Sequence, residues 1–415
     1  MTNLPPDAID SKVARRVIAA AMRMVETVIG EHFPEALDSL KAALAVAAVG
    51  CLTDNTQPTT LIFVARSGAG KTLVLSWLMP TDHNDVLAAY IYRSDEFTAA
   101  SFVSHRADVK QAQLKRIDLL PRLKGKTLLT KELAPFFTGK QDDLMRRIAV
   151  VTAILDGQGF ISDSGAHGRR GYVERINFQW LGATTPLSPE VLAIMAQLGP
   201  RLLFYWVDRP AKDTDALVAL ASRTDGTQAA ETCREAVQNY LRALYTLIPP
   251  GSVHSSAVTF SPTHLRWLAL WAQVLTALRT TVPGKGKEQD VAAEHAERAL
   301  GILRNIATGS ALVHGRPAVG DYDLAQVAHI AFSSGVAGRG RALRAVLTHG
   351  GTATTPEIEE RARISTPTAL RYMKELTAVG LAHFTEGKGT TPATVALVEP
   401  FIELCKAPLL GSADA

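Results

Sequence analysis

The segment Ala65-Arg66-Ser67-Gly68-Ala69-Gly70-Lys71-Thr72 puts two glycines, a lysine and a hydroxyl side chain into one short turn. An apolar, β-branched run (59–65) leads into it, and a helical pattern (72–79) leads out. A loop of this kind curls backbone N–H groups around an anion at a helix N-terminus. The glycines leave room for the backbone to approach phosphate closely. Ser67, Gly68, Ala69 and Gly70 would form the cradle, Lys71 would neutralise phosphate charge, and the Thr72 hydroxyl would hold Mg²⁺. This is the form of a Walker A loop, with Ala65 in the position of the first glycine. It implies ATP and Mg²⁺ as cofactors.

A carboxylate is the next requirement. The strand-like run Thr127-Leu-Leu-Thr-Lys131-Glu132 ends in one. An acid pair in that place would hold the water on Mg²⁺ and polarise the attacking water. Lys131 takes the first position, which leaves Glu132 to serve the metal, the water or both; the alternative is a solvated Lys-Glu pair at a strand end. Asp142 and Asp143 fall on the following helix and are not assigned. Further on, Ser162-Asp-Ser-Gly-Ala-His167-Gly-Arg169-Arg170-Gly-Tyr172 reads as a turn-rich basic tip between two short strands. His167, Arg169 and Arg170 on such a tip can meet DNA phosphates regardless of base sequence. An ordinary solvated hairpin is the other reading.

These groups need a scaffold. With 415 residues the chain should form two or three domains, because single cores stop growing near about 250–300 residues. Forty-four Lys and Arg against 40 Asp and Glu give a formal charge of +4, which permits a nucleic-acid partner without demanding one. Three dispersed cysteines without a CxxC or a Cys/His cluster argue against a disulfide scaffold and a structural zinc site. The N-terminus does not read as a signal peptide, and the longest apolar stretch, 42–52, is too short to span a bilayer. A cytoplasmic protein without a membrane partner is expected.

Residues 12–52 read as two helices. Apolar runs at 59–65, 87–92, 127–130, 176–183 and 201–207 alternate with helical segments, which predicts an open α/β sheet over 36–210 with helices on both faces. After Pro210 the pattern turns helical at 226–247, 262–280, 289–312 and 322–334, with a flexible loop at 282–288.

Residues 338–405 read as a compact basic unit of another kind, with its elements over 340–400. Helices are predicted at 341–347, at 355–362 (capped by Thr355, with Pro356 in the first turn) and at 366–376. Leu370, Met373 and Leu376 would face the core, leaving Thr368, Arg371, Tyr372 and Lys374 outside. Two strands, 380–384 and 391–398, would pair across a tip carrying Lys388. This reads as a winged helix whose third helix could enter a major groove through Thr368, Arg371 and Lys374, with Lys388 on the wing. A protein-docking or structural role stays open.

The order of these segments resembles the AAA+ ATPases, in particular the minichromosome-maintenance (MCM-like) helicases and their self-loading, mobile-element relatives, over roughly residues 36–400. The resemblance implies an αβα sandwich with a helical lid and a C-terminal winged helix. The boundaries it suggests are 1–35 for an N-terminal helical segment, 36–210 for the ATPase core, 211–337 for the lid and 338–408 for the winged helix. It makes the basic tip similar to a pre-sensor-1 hairpin. Phe178-Gln-Trp-Leu-Gly-Ala-Thr184-Thr185 becomes a sensor-1 strand, with Thr184 holding the attacking water and Thr185 second. Gln197-Leu-Gly-Pro-Arg201 resembles the segment that presents an arginine finger to a neighbouring subunit, and Leu303-Arg304 the sensor-2 helix, with Arg316 as a weaker alternative.

The resemblance thus implies an ATP-dependent DNA translocase or helicase. It would act as a homo-oligomeric ring, hexameric in that family, on single- or double-stranded DNA, with replication or mobile-element proteins as further partners. The family's large N-terminal collar has no counterpart ahead of residue 36, so ATP hydrolysis is expected more firmly than processive unwinding. The alternatives are an ATP-switched DNA-binding or regulatory protein, and an ATPase fold kept for structure.

Overall fold

The computed structural model describes residues 12–82, 85–104, 111–164, 168–198, 201–207, 209, 212–222, 226–282 and 294–411. The expected loop at 282–288, beyond residue 282, and His167 lie outside these residues. The chain divides into two compact units. The first takes residues 1–187, 206–259 and 308–318, and the second takes 188–205, 260–307 and 319–415.

The first unit is built on a sheet whose strands β1 (Thr59–Val64), β2 (Ile91–Arg93), β3 (Thr127–Thr130), β6 (Gln179–Thr184) and β7 (Phe204–Trp206) lie in the order β2-β3-β6-β1-β7. β7 enters this unit at Trp206. The pairs β1–β6, β3–β6 and β2–β3 are parallel. Every residue of β1, β3 and β6 is buried, as a parallel sheet covered on both faces requires. The two faces can be read from β6. Gln179 faces the helix Leu37–Val49, where a Cβ on Gly50 would lie 2.5 Å from its Oε1. Its neighbour Trp180 points the other way, into Phe97 and Phe136 at ring separations of 5.5 and 6.3 Å.

The alanine-rich helix Leu37–Val49 buries ten of its thirteen residues, because small side chains let it lie close to β1 and β6. The helix Lys12–His32 packs on Gly226–Leu247, which in turn packs on Lys71–Leu78. The run at 87–92, expected as strand throughout, begins instead as a short 3-10 turn, Val86–Ala89, because the Asp85 carboxylate caps it by accepting from Leu87 N–H at 2.9 Å. A separate antiparallel hairpin, β4 (Phe160–Ser164) and β5 (Gly168–Tyr172), belongs to this unit.

The second unit holds the helices Pro189–Leu198, Pro262–Arg279, Asp321–Ser334, Ala337–Thr348, Thr355–Ala362 and Thr366–Ala378, with a three-stranded antiparallel sheet. That sheet has the order β8 (Thr352–Thr354), β10 (Thr394–Leu397), β9 (Ala382–Thr385); β8 is additional to the two strands expected. Two expectations for this region are corrected. The N-cap of Thr355–Ala362 is Thr354, whose N–H and hydroxyl both donate to the Glu357 carboxylate at 2.6 and 2.8 Å. Thr355 is buried, and its hydroxyl donates instead to the Ala393 carbonyl at 3.2 Å. Tyr372 is also buried rather than exposed, because its ring lies against Gly338, where any Cβ would come within 2.2 Å of it. Met373 and Leu376 are core residues as expected, while Leu370 is half-buried.

Candidate functional site: the strand ends of the parallel sheet

In a parallel sheet the residues after each strand's C-terminus gather along one edge, and ligands bind there. Here that edge carries the loop 65–70 after β1, Thr184 at the end of β6, Glu132 after β3 and Asp95 after β2. Val64 is in register with Thr184, and Thr130 with Gly182, so Glu132 comes level with Thr184.

The loop turns on Gly68 (φ 82°) and Gly70 (φ 77°), both in the left-handed region that glycine enters without cost. Gly70 then caps the helix Lys71–Leu78. Ser67, Gly68 and Thr72 are exposed, Ala69 and Gly70 half-buried. Lys71 is 7% exposed, yet its only ion partner among the described residues is Glu132, with Nζ 3.6 Å from Oε2. Glu132 is held from the other side by Ala134 N–H, which donates to its Oε1 at 3.0 Å. The next residue, Leu133, donates its N–H to the Ala183 carbonyl at 2.7 Å and fits its side chain over Gly182, where a Cβ would meet it at 2.3 Å. This glycine in β6 therefore lets the Glu132 turn close down on the strand that ends in Thr184.

Thr184 itself is fully buried. Its carbonyl accepts from Ala65 N–H at 3.2 Å, but its hydroxyl has no hydrogen-bond partner among the described residues. Lys71, Glu132 and Thr184 are thus brought to one place with the loop. Lys131, which stands where an acid pair would begin, has an acid beside it. The Asp95 carboxyl is held below its usual range first by the Arg93 guanidinium, with the Lys131 charge and backbone N–H adding to the effect.

Arg209 belongs to none of the motifs read from the sequence. Val207 N–H donates to the Val64 carbonyl at 3.0 Å, which runs the chain alongside the start of the loop. Two residues later the Arg209 guanidinium lies against Gly70. A Cβ there would be 2.7, 3.0 and 3.1 Å from its Nη1, Cζ and Nη2. Its Nη1 is 3.3 Å from Glu35 Oε1, and its buried Nε has no hydrogen-bond partner among the described residues. Only the strand order puts a residue after β7 beside a loop after β1, and that order is not readable from local pattern.

On the hairpin, Arg169 lies opposite Asp163 and Arg170 opposite Ser162. Adjacent residues of a strand face opposite sides, so the two arginines do not share a face. With Ile161, Gly171 and Val173 they border a shallow cleft of about 180 Å³. Gly159 and Gly171, at positive φ, allow the strands to approach: a Cβ would lie 2.2 Å from the Tyr172 carbonyl oxygen or 2.0 Å from that of Phe160. The hairpin base is tied down by Tyr172, whose hydroxyl donates to buried Asp118 at 2.7 Å. Burial, and then that carboxylate, push the Tyr172 pKa up.

The remaining candidates, Arg316 excepted, belong to the second unit. Arg201 is half-buried in the turn ahead of β7, where the Leu202 carbonyl accepts from Arg279 at 2.9 Å. Burial brings the Arg279 pKa down to about 10. Arg304 lies over the Phe260 ring at 5.8 Å. In the C-terminal helices Thr368 is half-buried and Lys388 exposed. Arg371 reaches Glu375 at 3.7 Å and Lys374 reaches Glu386 at 3.5 Å, so part of the basic face is neutralised from within. Arg316, the alternative to Arg304, is in the first unit, 3.4 Å from His314.

Among the described residues no group of three or more His, Cys, Asp or Glu side chains assembles a metal site, and no helix is long and apolar enough to cross a membrane. No protein-family model matches the chain, and no curated protein matches it. Among solved structures it is similar to a full-length MCM homolog from Methanopyrus kandleri, at 11% identity and a TM-score of 0.42, over 81% of this chain and 64% of that one. It is also similar to an apo form of the NrS-1 C-terminal region, at 11% identity and a TM-score of 0.25, over 91% of this chain and 75% of that one. The chain spans less than two thirds of the MCM homolog's length. At that level of likeness, its activity has to be argued from its own residues.

Proposed function

We propose that this chain is an ATP hydrolase of the AAA+ class that works on DNA as an oligomer. One observation carries the reading. A glycine loop between a buried parallel strand and a helix places Lys71 at the helix N-terminus, with Glu132 and the unpartnered hydroxyl of Thr184 at the neighbouring strand ends. A buried hydroxyl without a partner costs stability and persists where a ligand or water is to be held.

The residues fit a nucleoside triphosphate with Mg²⁺, an ion that usually keeps several waters and takes few protein ligands. When bound, the pair would supply the γ-phosphoryl group and the charge that offsets its transfer. Loop N–H groups of 67–70 and Lys71 would bind phosphate oxygens, while Thr72 and Glu132 would hold the metal and its water. Thr184 would orient the attacking water. Lys71 would exchange Glu132 for phosphate on binding, freeing that carboxylate. Arg201, and Arg304 on the helix Glu297–Val313, are assigned to complete the site, at least one of them across a subunit boundary.

Arg169 and Arg170 on the hairpin would contact the DNA backbone. The three-helix unit with its sheet, read as a winged helix, would present Thr368, Arg371, Lys374 and Lys388 to DNA. Its internal acid partners make it the weaker contact. Translocation or unwinding follows from coupling hydrolysis to that hairpin.

The test is ATP turnover by the purified chain with and without single- and double-stranded DNA, beside Lys71→Ala, Arg201→Ala and Arg169→Ala/Arg170→Ala. The reading expects DNA to raise turnover several-fold and both Lys71→Ala and Arg201→Ala to abolish it. Mixing those two should restore part of it, and the hairpin variant should lose only the DNA stimulation. Slow turnover indifferent to DNA would instead mark an ATP-switched regulatory protein, and no turnover a structural one.

A further inference from the structure

Two cations, not one, flank the glycine loop. A helix N-terminus carries positive partial charge, so cations placed there are destabilised unless an anion accompanies them. Lys71 and Arg209 are both in that position, Arg209 with its guanidinium against Gly70. Each is countered by a carboxylate from a different element, at a longer distance than a strong charged hydrogen bond: Glu132 at 3.6 Å and Glu35 at 3.3 Å. By contrast, the Arg242–Asp85 pair of the same unit closes to 2.6 Å. The Arg209 Nε is buried with no hydrogen-bond partner among the described residues. A second orphan, the Thr184 hydroxyl, is buried at the edge of the same loop.

We propose that Arg209 is a phosphate-binding arginine acting within its own chain, with Glu35 as the stand-in anion that holds it against the loop until phosphate arrives. This rests on the nucleotide reading above and deepens it. The Glu35 carboxylate occupies, for Arg209, the part that Glu132 plays for Lys71. Both side chains therefore sit within reach of the loop and exchange carboxylate oxygens for phosphate oxygens together. Gly70 has a second task in this arrangement besides its left-handed turn: any side chain there would occupy the space of the guanidinium. A planar guanidinium suits phosphate better than a second ammonium would, because it can present two N–H groups in parallel.

A merely structural ion pair would behave differently, and the difference is one of sign. If Arg209 and Glu35 only hold the fold together, removing either partner disturbs the site in the same direction. If Glu35 competes with phosphate for the guanidinium, the two removals act in opposite directions. The experiment is calorimetric titration of ATP and of ADP into the full chain for the wild type, Lys71→Ala, Arg209→Ala, Arg209→Lys and Glu35→Gln, with a melting curve for each. Arg209→Ala should weaken ATP binding about tenfold or more, with Arg209→Lys in between. Glu35→Gln should tighten ATP binding about threefold, the scale of a modest ion pair no longer in competition.

Wild type that binds neither nucleotide would overturn the nucleotide reading itself. Wild type that binds, with Lys71→Ala impaired and Arg209→Ala unchanged, would leave that reading standing and overturn the role of Arg209. Should Arg209→Ala fail to fold, Glu35→Gln decides: affinity unchanged or lowered refutes the proposal, affinity raised supports it.

Discussion

The hydroxyl of Thr184 offers a sharp separation of stability from function. Its side chain is buried at the end of β6, and its Oγ1 makes no hydrogen bond among the described residues. Thr184→Val replaces that hydroxyl by a methyl of nearly the same shape. It keeps the backbone bond from Ala65 N–H and suits a strand as well as Thr does. An unmade hydrogen bond of a buried polar group costs about 1–3 kcal/mol. The variant should therefore be more stable than the wild type by about 1 kcal/mol, taking the low end. In a unit of this size that raises the melting temperature by about 2–4 °C.

ATP turnover should move the other way. If the hydroxyl orients the attacking water, its loss costs on the order of 10²-fold in rate, the scale for one preorganised polar group, with ATP affinity little changed. Thr184→Ser inverts both effects: it keeps the hydroxyl and the turnover, and loses a buried methyl worth about 1 kcal/mol. The assays are a thermal melt without nucleotide and steady-state turnover with it. A Thr184→Val protein that melts below the wild type, or that turns over ATP within about twofold of it, would refute the reasoning, because the hydroxyl would then be serving the fold or nothing.

Two further outcomes rest on charges away from the loop. Arg339 is buried, donates to Glu375 at 3.0 and 2.8 Å, and donates to the carbonyls of Leu278 and Thr280 at 3.2 and 2.8 Å. Arg339→Ala leaves Glu375 with only Arg371, at 3.7 Å, and takes the guanidinium from the Thr280 carbonyl; it should cost about 3 kcal/mol, read by denaturant unfolding, and Arg339→Met with Glu375→Leu should recover most of it. The carboxyl of Asp85 is held below its usual range, chiefly by the Arg242 hydrogen bond. A depressed pKa gives stability that is present above the unfolded value near 3.8 and lost as pH falls through the folded one. Asp85→Asn should thus cost on the order of 1 kcal/mol at pH 7 and, in a melting series from pH 7 to pH 2, lose less than the wild type below about pH 4.

How much of the molecule is legible in its sequence divides by the range of the interaction. The loop, its strand and its helix are contiguous, so Gly68, Gly70 and Lys71 announce themselves, and the periodic helices at 226–247 and 262–279 do so by pattern alone. Helical spacing puts Tyr372 on the outer face, and only the absence of a Cβ at Gly338, far earlier in the chain, opens the space it fills. Thr354 and Thr355 both precede the same proline and compete as caps on local pattern; the reach of Glu357 back to Thr354 settles which one closes the box.

Arg209 is illegible for a deeper reason. It belongs to no motif read from the sequence, and its place beside the loop comes from β7 lying next to β1, a strand distant in sequence. The same strand order brings Thr184 to Val64 and Glu132 to Lys71. A sheet of this kind therefore concentrates charge from distant segments on one edge. Two cations at a helix N-terminus are stable there only with anions, and the chain provides two, Glu132 and Glu35. Carboxylates that hold cations loosely in place also hold them ready for a ligand with more negative charge to offer. In that sense the weakness of the pairs, at 3.6 and 3.3 Å, is the property that suits them to the site.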